Sequence, residues 1–165
     1  MRLSKENIKK GGIGGIFRNS HGCWILGYYK SAIAYTPTYV LKTGLQLASD
    51  KKIVNVEIET DATDIFCLLE NDTCSICFNL VFECRSLLKK LQNPLIRHNF
   101  REGNKVAHFL ATQGSKQLGS SQLFVLEQPP NALLKAIHDD KIGCTKSRTV
   151  STTIFSKLVE IGILL

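Results

Sequence analysis

The chain has 165 residues, 44% hydrophobic and 21% charged, with a net charge of +7. That length predicts about one domain with one core, and the composition excludes wholesale disorder. Its uncharged apolar stretches fall far short of the roughly 18 to 20 residues of a membrane span, and the opening MRLSKENIKK is basic and polar where a secretory signal is apolar.

The glycine run Gly11–Gly15 leads into Ile16, Phe17 and Arg18, and Asn19-Ser20-His21-Gly22 reads as a turn into the apolar, aromatic stretch Cys23–Ala34. Two such runs around a short loop predict a β-hairpin. The glycines lack the GK[ST] of a phosphate loop and enter a hairpin, so they read as close backbone packing at a strand start. Pro37 opens a helix carrying Val40, Leu41, Leu45, Leu47 and Ala48. IVNVEIET (53–60) alternates partly as a strand, and Asp61-Ala62-Thr63-Asp64 signals a helix start with Ile65, Leu68 and Leu69 on its apolar face. A further helix is expected from about Thr73 or Ser75, with the stripe Ile76, Leu80, Cys84, Leu87, Leu88 and Leu91, ending at Pro94. Leu95–Phe100 reads as a strand, Gly103-Asn104 as a turn, and Val106, Phe109 and Leu110 as the start of another helix. Gly114–Ser121 reads as a polar linker, Pro129-Pro130 as the opening of a short helix over Asn131–Ile137, and Ile154–Leu165 as an amphipathic stretch. Strands alternating with helices predict an α/β or α+β sheet with helices packed on it.

Charge is placed unevenly. Residues 1–30 carry six bases against one acid, residues 50–72 seven acids against two bases, and residues 85–116 seven bases against one acid. Two basic stretches around an acidic one suit a nucleic-acid surface, and also the solvated surface of a mildly basic protein. The six cysteines (23, 67, 74, 77, 84 and 144) read as reduced thiols of a protein inside the cell, nuclear or cytoplasmic and not secreted. Cys74 and Cys77 have no second pair to complete a zinc site and read as packing residues on a helix.

Three places carry candidate chemistry. Asp61, where a strand ends and a helix begins, is either a helix N-cap or a carboxylate facing a cleft at the end of a strand. In Arg101-Glu102-Gly103-Asn104-Lys105, Arg101 and Lys105 suit phosphate contacts and Asn104 a helix cap, with a plain solvated loop the alternative. His108, one turn into the next helix, reads as a structural histidine unless a second group joins it.

Five segments in order, GIGGIFRNSHG (12–22), LKTGLQLA (41–48), VEIETDA (56–62), REGNKVAHFLA (101–111) and LFVLEQPPNALLKAIHDDKIG (123–143), resemble the reverse-transcriptase-associated type 1 ribonuclease H family of plant retroelement-derived proteins. The resemblance covers about residues 4–143. It implies a mixed sheet with flanking helices and hydrolysis of the RNA strand of an RNA–DNA hybrid, by two Mg²⁺ ions held on four carboxylates. Carried over position by position, the first carboxylate belongs to a strand that should precede Ser4-Lys5-Glu6-Asn7 and falls near Met1, so it and most of its strand are missing. The second falls on Pro37, and no acid occurs between Glu6 and Asp50. The third is Asp61. The fourth is occupied by His108.

The resemblance therefore implies nucleic-acid binding, to RNA or RNA–DNA hybrid, on a catalytically degenerate domain. Asp61 is the retained catalytic and metal-ligand position, His108 stands at another, and Arg101, Asn104 and Lys105 are the candidate nucleic-acid contacts. Mg²⁺ is the family's cofactor, with productive binding not expected here. The alternatives are an active hybrid ribonuclease with unusual metal ligation and a non-catalytic interaction remnant. Residues 1–117 read as the domain, 118–143 as a trailing segment with a short helix, and 144–165 as a tail. With the first strand missing, a gap is expected between the hairpin and the strand at 53–59, with self-association through exposed sheet edges. The one segment singled out to fill it is Thr149–Phe155 (TVSTTIF).

Overall fold

The computed structural model describes residues 10–33, 36–70, 78–99, 104–117, 122–141 and 161–164. Strands β1 (Lys10–Arg18) and β2 (Trp24–Ile33) form the expected hairpin, antiparallel from Lys10 opposite Ile33 to Arg18 opposite Trp24. Asn19 closes it. Its Oδ1 accepts the backbone N–H of His21 (3.0 Å) and of Cys23 (2.9 Å), the local competition with the ladder that makes Asn a turn residue.

Helix α1 (Pro37–Asp50) is capped by Thr36, whose Oγ1 accepts the Tyr39 N–H at 3.2 Å, and Pro37 stands in its first turn. The helix closes with Lys52 at φ 54° and the Ile53 N–H donated back to the Ala48 carbonyl at 2.9 Å. That closure corrects the expected strand at 53–60. Ile53 is engaged by the helix end and Asn55 is left-handed (φ 55°), so extended pairing starts only at β3 (Glu57–Thr60). There the alternation holds, with Ile58 and Thr60 buried and Glu57 exposed.

Helices α2 (Asp64–Glu70) and α3 (Phe78–Lys90) follow, then β4 (Leu95–His98). Cys74 and Cys77 lie outside the described residues. Helix α4 (Lys105–Ser115) extends into what reads in sequence as a linker. LFVL, which carries no strand signal beyond being apolar, forms β5 (Leu123–Leu126) against β2. A 3₁₀ turn (Asn131–Leu133) leads into α5 (Leu134–Lys141), and the last described element is β6 (Ile161–Leu164).

The six strands make one mixed sheet in the order β4-β3-β6-β1-β2-β5. Strand β6 runs parallel to β1 (Ile13↔Ile161 to Ile16↔Leu164) and antiparallel to β3 (Glu59↔Leu164, Thr60↔Ile163). The expected gap is therefore filled, which corrects that expectation. Residues 161–164 fill it, while Thr149–Phe155 lies outside the described residues. Two backbone edges in the middle of a sheet are costly to leave unpaired, and IGIL is uniformly apolar, as a strand covered on both faces must be.

Successive β1 side chains point to opposite faces. Ile13 and Phe17 join Leu26, Tyr28 and the α1 residues Val40, Leu41 and Leu45 in one cluster. Ile16 joins Val106 and Leu110 of α4 and Leu133 in another. The glycine run has its reason on the second face. A Cβ on Gly12 would stand 1.9 Å from the Ala111 carbonyl oxygen, and one on Gly14 would stand 2.3 Å from the Ala111 nitrogen. Backbone lies on backbone there, so α4 seats directly on β1.

Candidate nucleic-acid interface

The site is assembled at the end of β3. Asp61 follows Thr60 directly, half-buried, and the Thr60 Oγ1 accepts the Ala62 N–H at 3.2 Å. Because α2 starts at Asp64, the residue in the N-cap position is Thr63, and Asp61 sits two residues before it.

Beside Asp61 is a group that the sequence pattern did not assemble. The Asn99 side-chain amide donates to Glu59 Oε2 at 2.9 Å, and its backbone N–H donates to the Thr60 carbonyl at 2.9 Å. Arg18 approaches the same Glu59 Oε2 at 3.8 Å, with the Arg18 side chain 17% exposed and the Glu59 side chain 34%. Strands β1 and β3 are not neighbours, so this pair spans the place where β6 lies. Arg97 pairs with Glu57 across β4 and β3 at the surface, an exposed contact of the kind worth between 0 and about 1 kcal/mol. Arg18 of β1, Glu59 of β3 and Asn99 just past β4 meet here, and nothing in local periodicity ties residues so far apart in sequence.

His108 and Lys105 stand on the first turns of α4. His108 is half-buried, and its backbone N–H donates to the Asn104 carbonyl at 3.0 Å. Asn104 occupies the N-cap position without a side-chain capping bond (φ −108°, ψ 24°) and is 2% exposed. That burial withdraws its side chain from any phosphate at the surface. Lys105 is exposed. Arg101 lies outside the described residues.

The donor set is tested against the metal pair that the resemblance implies. The strand in the central place is Ile161–Leu164, which contains no acid. Pro37 and a cap hydroxyl from Thr36 stand at the start of α1, whose first turn holds no acid. His108 stands on α4. Among the described residues, no three His, Cys, Asp or Glu side chains gather as a metal-holding group. Mg²⁺ demands hard oxygen ligands in near-ideal octahedra, and an imidazole paired with one carboxylate does not supply them. Among the described residues, those at these positions do not fit two Mg²⁺ ions.

A mixed sheet with helices on both faces and an Asp at the end of the strand beside the central one is the frame of a ribonuclease H-like domain. The family model described as reverse transcriptase-like matches residues 3–114, and the chain belongs to that family. It is 28% identical over 155 residues to a curated Arabidopsis thaliana protein named for ribonuclease H, an overlap covering 89% of this chain and 24% of that protein. The chain thus spans about a quarter of that relative's length. No solved structure gives a significant match.

Proposed function

We propose that this domain binds RNA or RNA–DNA hybrid through its phosphate backbone and does not hydrolyse it. The observation that carries the reading is the composition of the three family positions that fall well within the chain: Pro37, Asp61 and His108. A full set of four carboxylates repels a phosphodiester until metal ions neutralise it. With one carboxylate left, that repulsion is largely gone, and a phosphate can approach the basic groups of the domain without a metal. Two-metal catalysis stabilises both the attacking and the leaving oxygen, and one Asp offers neither clamp. Lys105 on α4 and Arg101 supply the positive charge, and Asp61 and His108 are remnants of position.

Binding is measured by fluorescence anisotropy on a labelled hybrid, a double-stranded RNA and a double-stranded DNA, at low and at physiological salt. The expected dissociation constant lies between about 10⁻⁴ and 10⁻⁶ M at physiological salt. Three phosphate contacts predict a roughly 40-fold loss from 50 to 200 mM salt. Arg101→Ala combined with Lys105→Ala weakens binding and shallows the salt slope. An affinity indifferent to salt sinks the backbone-contact reading. Mg²⁺-dependent cleavage of the hybrid that disappears in Asp61→Asn sinks the non-hydrolytic one.

A further inference from the structure

Helices α1 and α3 finish at the same end of the sheet. Strands β3 and β4 are parallel and aligned, with Glu57 opposite Leu95, and each helix feeds its strand through a short turn. Both helix C-termini therefore lie at the start of β3 and β4, away from Asp61 and Asn99. The two helices pack on each other, with Leu47 and Ala48 of α1 and Leu87 and Leu88 of α3 in one apolar cluster. Lys51 and Lys52 close α1, and Lys89 and Lys90 end α3. All four are exposed, and among the described residues none of them forms an ion pair. The acids at this end are Asp50, exposed and accepting the Gln46 amide at 2.8 Å, and Glu57, which pairs with Arg97. Each helix C-terminus adds about half a negative charge, so Asp50 and the two helix ends leave about two of the four positive charges uncompensated. The same turns hold every left-handed non-glycine residue among the described ones: Lys52, Asn55, Gln92 and Asn93, at φ 54° to 66°. Glycine closes a helix in that conformation without steric cost, so Lys52 keeps an ammonium group at the cap at the expense of the closure.

We propose that this lysine end, formed by the C-termini of α1 and α3, is a second phosphate-backbone contact for a nucleic-acid duplex, separate from the contact of Arg101 and Lys105. Packed helices lie about 8 to 10 Å apart, and one strand of a duplex carries a phosphate about every 3.4 Å along its axis. The two lysine pairs thus reach across about three phosphates of one strand. An ammonium group is a point charge on a flexible stem, and it takes a phosphate oxygen from many directions. The exposed amides of Asn55, Gln92 and Asn93 add neutral donors beside it. The contact rests on these groups alone and stands or falls without the one at Arg101 and Lys105. With both in place, one domain holds two duplex segments. An acidic peptide is the other polyanion that such charges attract, and the test separates it.

The test follows the anisotropy of a fluorescein-labelled RNA–DNA hybrid of about 12 base pairs, titrated with the full chain at about 50 mM salt. The starting variant is Arg101→Ala with Lys105→Ala, in which residual, salt-sensitive binding is expected. Adding Lys51→Ala, Lys89→Ala and Lys90→Ala weakens that binding about tenfold or more and shallows the salt slope by up to about 2.7, at about 0.9 for each phosphate contact. Lys51→Arg, Lys89→Arg and Lys90→Arg keep it. Lys116→Ala, Lys135→Ala and Lys141→Ala remove the same net charge from other exposed positions, and they weaken binding less than about threefold. The proposal is overturned if the two alanine triples act equally, or if the starting variant has already lost all binding. It is also overturned if a polyglutamate peptide binds in dependence on the three lysines while the hybrid does not. A starting variant that binds as tightly as the wild type and is emptied by the lysine triple supports this contact and overturns the one at Arg101 and Lys105. A wild-type chain that leaves the hybrid unbound overturns both.

Discussion

Gly14 has no room for a side chain. Its missing side chain is what lets the backbone of Ala111 approach, with a Cβ placed 2.3 Å from that nitrogen. The obstacle is helix backbone, so the clash cannot be relieved by a rotamer change. Gly14→Val should cost about 3 kcal/mol or more, above the usual range for overpacking, measured as a drop in the urea midpoint with m unchanged. A second residue-scale effect concerns pH. Burial pushes the Cys84 thiol up from 9.0 to about 12, with Glu83 adding to the rise and Lys42 opposing it, and its Sγ lies 3.4 Å from the Thr38 carbonyl oxygen. The folded state prefers the neutral thiol, whereas the unfolded thiol ionises at its ordinary value. The stability this preference carries is therefore whole below about pH 9 and is lost progressively as pH rises toward 12. Burial likewise pushes the Tyr28 phenol above its ordinary 10.0, so its loss begins higher. Urea melts from pH 7 to 10.5 should show a decline starting near 9, and Cys84→Ala should flatten its first part. An unchanged slope in that variant would assign the decline elsewhere.

Among the elements, the hairpin, α1, α3 and α4 were legible because each carries a local reason: a turn Asn, a cap Thr with Pro37, an apolar stripe at helical spacing. The two strands that escaped notice, β5 and β6, are four-residue apolar runs in which period 2 and period 3.6 cannot be told apart. The misread start of β3 has a different cause. Its alternation extends back to Ile53, but two left-handed non-glycine residues, Lys52 and Asn55, break the backbone where no Gly or Pro announces it. At the site, Asp61 was legible from its place between strand and helix, whereas Arg18, Glu59 and Asn99 are joined only by the order of the sheet. Strand β6 is the element on which that order depends. Gly162→Pro should remove a ladder donor at the centre of the sheet and abolish the cooperative melting transition, followed by circular dichroism. An alanine change at Leu134, the exposed first residue of α5, removes no backbone donor and should leave the transition within about 0.5 kcal/mol. Equal effects of the two changes would deny β6 its central place.

For the molecule as a whole, the proposed reading keeps the fold and gives up the metal. Of the three family positions that fall well within the chain, Asp61 alone is an acid, on a chain of net charge +7. Its nucleic-acid affinity should therefore be insensitive to metal. Adding millimolar Mg²⁺ should weaken binding only as added salt does, through counterion competition, and chelation should leave it unchanged. Binding that rises when Mg²⁺ is added at constant ionic strength would count against the non-hydrolytic reading. The order of the sheet carries one more consequence. A ribosome delivers β1, β2, β3, β4 and β5 before β6, yet β6 belongs between β1 and β3. Both margins of the sheet are thus made before its middle, and the pairing that joins them waits for the most distant segment, a slow kind of closure. Until residues 161–164 emerge, the nascent chain holds two open strand edges facing each other, and it is in that interval that it most needs a chaperone.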